Sequence, residues 1–198
     1  MNFFHQGGVM MWPLALVSIT VLAIIIDRML LFSSIRFPGK NFARILSDAL
    51  ASNDMEPIVS SIRDVPVLAD FVLALEAPDA GHRERILEIR AEDVVRTLEK
   101  HLSLMAVLAR LAPLLGLLGT ILGMIATFAH IADSGSGINM TLLASGIWQA
   151  LLTTAAGLSI AIPSLLALHW FRQRVSDIAD ALNATANAAL SIQRIRKP

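Results

Sequence analysis

The sequence predicts an all-α membrane protein with three transmembrane helices and with long helices that extend into the cytoplasm. Two observations predict this fold class. Apolar residues make up 55% of the 198 residues and charged residues 16%, which is a membrane composition rather than a soluble one. All 16 Lys and Arg lie within residues 28–110 and 172–197, so residues 1–27 and 111–171 contain none.

Composition also excludes several classes of function. The formal net charge is zero, so no basic surplus favours nucleic-acid binding. The chain has no cysteine, which excludes disulfides, thiolate zinc sites and a cysteine nucleophile.

The first predicted transmembrane helix covers residues 9–32. Its apolar run precedes Asp27 and Arg28, and a snorkelling Arg28 allows the following leucines to complete a span of about 20 residues. A cleaved signal peptide is disfavoured, because no basic residue precedes the run and no small-residue cleavage site follows it. Residues 1–8 form the N-terminal flank.

The next predicted segment, residues 33–101, is helical. Short amphipathic patterns are punctuated by Pro57, Pro66 and Pro78. From Asp79 the apolar residues recur at helical intervals, and no strong breaker follows. We therefore expect one long helix that continues into the second span.

The second transmembrane helix is predicted to cover residues 102–132, and a turn at 133–138 follows it. The third transmembrane helix is predicted to cover residues 139–171, and a helical tail covers 172–198. Lys and Arg mark cytoplasmic flanks. Because they occur in 33–101 and in the tail, these segments are predicted to be cytoplasmic, and the N-terminus and the turn to be periplasmic. The protein is thus predicted to be a multi-pass protein of the bacterial inner membrane.

Small and polar residues distinguish the second and third spans from simple lipid anchors. Small residues let membrane helices approach closely, and prolines disturb helices locally. The predicted packing residues are Pro113, Gly116, Gly119, Gly123, Gly157 and Pro163. Each glycine taken singly is more often a packing residue than a functional one.

Hydroxyl and amide side chains lie in the same two spans. They are Thr120, Thr127, Gln149, Thr153 and Thr154. A threonine in a membrane helix often bonds only its own backbone. An apolar-zone amide such as that of Gln149 needs partners, so we expect it to face protein or water.

Asp, Glu and His are absent from the interiors of the second and third spans. Because proton relays in membranes usually use Asp, Glu or His, a titrating group for proton movement is expected from another chain. Ser159 and Ser164 lack a nearby base in sequence, so no catalytic residue, metal site or cofactor is predicted, and the chain is not predicted to be an enzyme.

Two segments together resemble a known family. APLLGLLGTILGM and GIWQALLTTAAGLSIAIP, in this order and spacing, are similar to the signature spans of the MotA/TolQ/ExbB proton-channel family. The three-span layout with a modest cytoplasmic segment resembles its ExbB/TolQ branch. The resemblance implies a helical ring oligomer, a homopentamer around the helices of a dimeric ExbD/TolR-like single-span partner. That partner would supply a membrane Asp and deliver work to a TonB- or TolA-like protein.

The resemblance also implies roles for particular residues. Thr120 and Thr154 align with the family's pore threonines, Thr153 is a neighbouring hydroxyl, and Pro113 matches the proline that opens the second span. Gln149 stands where ExbB-type members carry Glu, and an amide cannot carry a proton. A non-conducting scaffold or a sodium-coupled relative remain alternatives, and the sequence does not select the system that is powered.

Overall fold

A computed structural model of the chain describes residues 7–35, 42–76, 82–133 and 140–196, with side chains described to residue 192. The described residues are helical and include no strand, as the sequence predicts. The predicted periplasmic residues 1–6 and 134–138 lie outside the described residues. So do Pro78, Asp79 and the last two residues of the tail.

The helices are numbered here in chain order. They are α1 (Met11–Ser34), α2 (Phe42–Ser52), α3 (Glu56–Ile62), a 3-10 turn (Pro66–Leu68), α4 (Ala69–Glu76), α5 (Arg83–Glu99), α6 (Leu102–Asp133) and α7 (Met140–Arg196). Three helical stretches, Met11–Ser34, Arg83–Asp133 and Met140–Ile192, are long and apolar enough to cross a membrane. The predicted count of spans and the helical continuation of the third span into the tail are confirmed.

One expectation about helix continuity is wrong. We expected a single helix from the cytoplasmic segment into the second span, but α5 ends at Glu99 and α6 begins at Leu102. His101 has φ 67°, a left-handed conformation that L side chains rarely adopt. No glycine or proline marks this break, so the pattern of residues could not predict it.

The chain divides into two compact units. Unit 1 comprises Met1–Asp27 and His101–His169, and unit 2 comprises Arg28–Lys100 and Trp170–Pro198. Unit 1 contains the apolar parts of α1, α6 and α7. Unit 2 contains α2 to α5 and the second half of α7.

The core of unit 2 is built on a regular stripe of α7. Its members recur at intervals of three and four, so they share one face of the helix. They are Phe171, Val175, Ile178, Leu182, Thr185, Ala189 and Ile192, and all are buried. The stripe is accompanied by fully buried residues of α3 to α5, including Ile58, Ile62, Phe71, Leu87 and Leu98. The short amphipathic helices α2, α3 and α4 thus bury their apolar faces within unit 2.

Candidate ion-pathway site between α6 and α7

Close backbone contact between α6 and α7 is the basis of the site in unit 1. A Cβ on Gly157 would lie 2.6 Å from the carbonyl oxygen of Ala112, and a Cβ on Gly116 would lie 2.9 Å from that of Thr153. Real Cβ atoms do not approach backbone oxygens so closely. The two glycines therefore allow a helix contact that any larger residue would force apart.

A hydroxyl bridges the helices at this contact. Thr154, which is half-buried, donates from Oγ1 to the carbonyl oxygen of Gly116 at 3.3 Å. Thr120 lies one turn beyond Gly116 on α6 and is also half-buried; it donates to the carbonyl oxygen of Leu117 at 2.7 Å. Each hydroxyl uses its proton on a backbone carbonyl and keeps oxygen lone pairs that can accept.

Thr153 has a different environment from its neighbour. It is 1% exposed and donates to the carbonyl oxygen of Ala150 at 2.8 Å. A Cβ on Gly119 would lie 2.7 Å from its Oγ1, so the hydroxyl packs directly against α6. Thr153 is therefore an interior group of unit 1.

Two further polar side chains lie nearer to the end of α6 and the start of α7. Thr127 is buried, donates to the carbonyl oxygen of Gly123 at 2.8 Å, and packs against Gly146, where a Cβ would collide with it. Gln149 is half-buried, and its amide nitrogen packs against Gly8, which has φ 70°. Sequence reasoning did not single out Gly8 or Gly146, because their partners lie on other elements.

Gly123 and the two prolines have looser surroundings. The nearest atom to a Cβ on Gly123 would be Cβ of Ala150, at 3.8 Å, which is ordinary contact. Pro113 is half-buried and Pro163 exposed, and both lie inside continuous helices.

A cleft of about 510 Å³ lies beside Gln149 within unit 1. Its lining includes Met10, Leu122, Thr127, His130, Ser145 and Gln149. His130 lies near the end of the predicted second span, and a single histidine carries no motif that would single it out in the sequence. Among the described residues, no group of three or more His, Asp or Glu is placed to hold a metal ion.

Comparison with known proteins identifies the family. Residues 60–186 match the model of the MotA/TolQ/ExbB proton channel family, and this match includes α6 and the glycine and threonine residues of α7. The chain belongs to this family.

Similar proteins point to the ExbB-like members of the MotA/TolQ/ExbB family. An ExbB-like biopolymer transport protein of Synechocystis sp. is 35% identical over 170 residues, which is 82% of this chain and 66% of that protein. The biopolymer transport protein exbB1 of Vibrio cholerae is 30% identical over 191 residues, 90% of this chain and 83% of that protein. Biopolymer transport protein ExbB of Aquifex aeolicus is 36% identical over 103 residues, 48% of this chain and 69% of that protein.

The fold and the family together define the type of protein. It is an ExbB/TolQ-type subunit and a multi-pass protein of the inner membrane, since three helical stretches can cross a bilayer and its relatives are ExbB-type proteins.

Proposed function

We propose that the chain is a subunit of a proton-driven motor in the inner membrane. Five copies form a ring around the transmembrane helices of a dimeric ExbD/TolR-like partner. Protons crossing at the boundary between ring and partner drive relative motion, and a TonB- or TolA-like protein receives the work in the periplasm. The N-terminus is periplasmic and the C-terminus cytoplasmic, because Lys and Arg flank the cytoplasmic ends of the spans.

The hydroxyl bridge at the α6/α7 contact carries this proposal. Thr154 donates to Gly116 where the two backbones are closest, and Thr120 is one turn away on α6. Both hydroxyls are half-buried, so part of each surface remains open to water or to another chain. A simple packing contact would need the glycines alone.

Proton coupling at these hydroxyls requires an acid from the partner. The interiors of the second and third spans contain no Asp, Glu or His, and Gln149 is an amide, which cannot carry a proton. A partner Asp that is neutral can lie against an apolar wall, whereas a charged Asp favours hydroxyl or water contacts. Alternate protonation would then bias which part of the ring the partner faces.

The side chains of Thr120 and Thr154 fit this role because they hold no fixed charge. Each can accept a hydrogen bond from water or from a protonated carboxyl. Thr153 is buried within unit 1, so in this mechanism it supports the geometry of α7 while its neighbour faces the pathway.

The work would be used for transport or for envelope maintenance. The names of the relatives refer to biopolymer transport, which favours energised transport across the outer membrane through a TonB-type protein. A TolQ-like role in envelope maintenance is the second candidate, because the three-span layout resembles the ExbB/TolQ branch as a whole and does not separate ExbB-like from TolQ-like members.

The combined substitution Thr120→Val and Thr154→Val tests the proposal. It keeps the shape of each side chain but removes both hydroxyls. Proton flux by the purified ring–partner complex in liposomes should fall to background, while the complex still assembles. Thr20→Val is the control for loss of a threonine hydroxyl outside the site. Thr20 on α1 is half-buried and donates to the carbonyl oxygen of Leu16 at 2.8 Å, a bond within its own helix like that of Thr120.

The alternatives predict other results from the same complex. A scaffold would tolerate both valines with no loss of function, and wild-type liposomes would show no flux. A sodium-coupled relative would show a flux of sodium ions, driven by an imposed sodium gradient. Normal flux in the double valine variant would contradict the proposed pathway.

A further inference from the structure

The cleft in unit 1 collects polar side chains from two helices along the α6/α7 boundary. His130 and Thr127 line it from α6, and Ser145 and Gln149 line it from α7. Gly119 also lines the cleft, at the point where the hydroxyl of Thr153 packs against α6. The cleft therefore runs along α6 from His130 to Gly119, the residue before Thr120.

The size and lining of the cleft suit water. A cavity needs about 10–15 Å³ of volume open to a water-sized probe, and two to four polar partners, to hold one water, and a cleft of about 510 Å³ exceeds that volume many times. The Thr127 hydroxyl donates its hydrogen bond to the carbonyl oxygen of Gly123, and its oxygen can accept a hydrogen bond from water. The Gln149 amide can both donate and accept.

His130 differs from the other polar groups in the cleft. Among the described lining residues it alone is ionisable, and the charged residue nearest to it along α6 is Asp133, one turn away. The lining residues contributed by α7 and by Gly7, Val9 and Met10 add no further charge. Histidine is the side chain type that exchanges protons between pH 5 and 8.

We propose that this cleft is a water-filled access path for protons, with His130 at its mouth. His130 takes a proton from water on the periplasmic side and passes it to water in the cleft, which returns the imidazole to its neutral form. The water carries the proton past Gln149 to Gly119, the residue before Thr120. The assignment of protons as the cargo rests on the proposed function, whereas the hydration of the cleft can be tested without it.

Single cysteines can measure this hydration cleanly, because the chain has no cysteine of its own. Leu122 lines the cleft and lies about 16 Å along α6 from Asp133, at 1.5 Å per residue. Ile121 and Ile125 are matched controls on the same helix that do not line the cleft. All three are similarly exposed, at 46%, 49% and 60% respectively, and Ile125 is nearer to the end of the helix.

The experiment labels each variant, Leu122→Cys, Ile121→Cys and Ile125→Cys, in right-side-out membrane vesicles that contain the whole complex. The probe is a charged maleimide that does not cross membranes, and it reacts with a hydrated thiolate. The thiolate is the reactive form, and a thiol in water ionises more readily than one in lipid. A difference of one unit in thiol pKa changes the thiolate fraction tenfold, so Leu122→Cys should react on the order of tenfold faster than both controls. Labelling that follows depth alone, with Ile125→Cys the fastest, would overturn the proposal, as would labelling of Leu122→Cys only after the vesicles are opened.

His130→Gln tests the proton step separately. Proton flux by the complete complex should fall by about 100-fold, the low end for loss of a proton-transfer group, while labelling of Leu122→Cys stays unchanged. Unchanged flux would remove His130 from the path. If wild-type complexes conduct no protons but Leu122→Cys still reacts, the proposed function fails and the cleft is a hydrated site with another role.

Discussion

Adjacent threonines in α7 show how much a single residue's role depends on its partner helix. Thr153 is buried against Gly119, whereas Thr154 is half-buried and donates to Gly116. Both lie in the motif that the sequence singled out. Neighbouring residues on a helix point about 100° apart, so their environments differ once another helix packs there. The sequence predicts that Thr153 and Thr154 place two hydroxyls side by side, but not which of the two is buried within unit 1.

The glycines of the α6/α7 contact give a prediction at the residue scale. Gly157→Ala would place a Cβ 2.6 Å from a backbone oxygen of α6, and backbone atoms cannot move away cheaply. We expect a loss of about 1–3 kcal/mol in the free energy of unfolding, as for other overpacked sites. Thermal unfolding of the purified protein in detergent would measure it.

Gly123→Ala is the control for that prediction. Its Cβ would have 3.8 Å of room to the nearest atom, and alanine favours helix over glycine by about 1 kcal/mol. It should leave the unfolding temperature unchanged or raise it. Equal destabilisation by both substitutions would mean that the close backbone contact at Gly157 is not the cause of the loss in stability.

At the scale of elements, the end of α5 shows where a pattern of residues is insufficient. The helix stops at Glu99, although the sequence around Lys100 and His101 contains no breaker. Arg28 of α1 is 6% exposed and donates from Nη1 to the carbonyl oxygens of Thr97 and Leu98, at 3.1 and 3.3 Å. These contacts satisfy carbonyls that a continued helix would have used. A distant residue therefore stabilises the break.

The same contacts predict the effect of removing Arg28. Arg28→Met should leave carbonyls at the C-terminus of α5 without this donor and should destabilise that end by about 1–3 kcal/mol. Hydrogen exchange in the last turn of α5 should become faster, while exchange in the middle of α6 should not change. Arg85→Met is the control, because Arg85 is an exposed residue of α5. Equal exchange in both variants would show that Arg28 does not hold the helix end.

At the scale of the whole molecule, the distribution of charge predicts the division into units. Every Lys and Arg except Arg110 falls within the residue ranges of unit 2. The predicted boundaries at 33, 101 and 172 lie within a few residues of those at Arg28, His101 and Trp170. The distribution of charge therefore separates the residue ranges of the two units, and the bounds of the membrane-spanning segments stay a prediction. The cleft beside Gln149 was not predicted, because it forms only when the chain before α1 meets α6 and α7.

The central claim is that this chain has no Asp, Glu or His in the interiors of its second and third spans and works with a partner that supplies the titrating group. A native mass spectrum of the complex, extracted gently from its own membrane, tests this most directly. The account predicts five copies of the chain with two copies of a small single-span protein that carries an Asp in its membrane segment. A homo-oligomer without such a companion, under the mildest extraction that keeps the ring intact, would contradict proton coupling and would favour a scaffold.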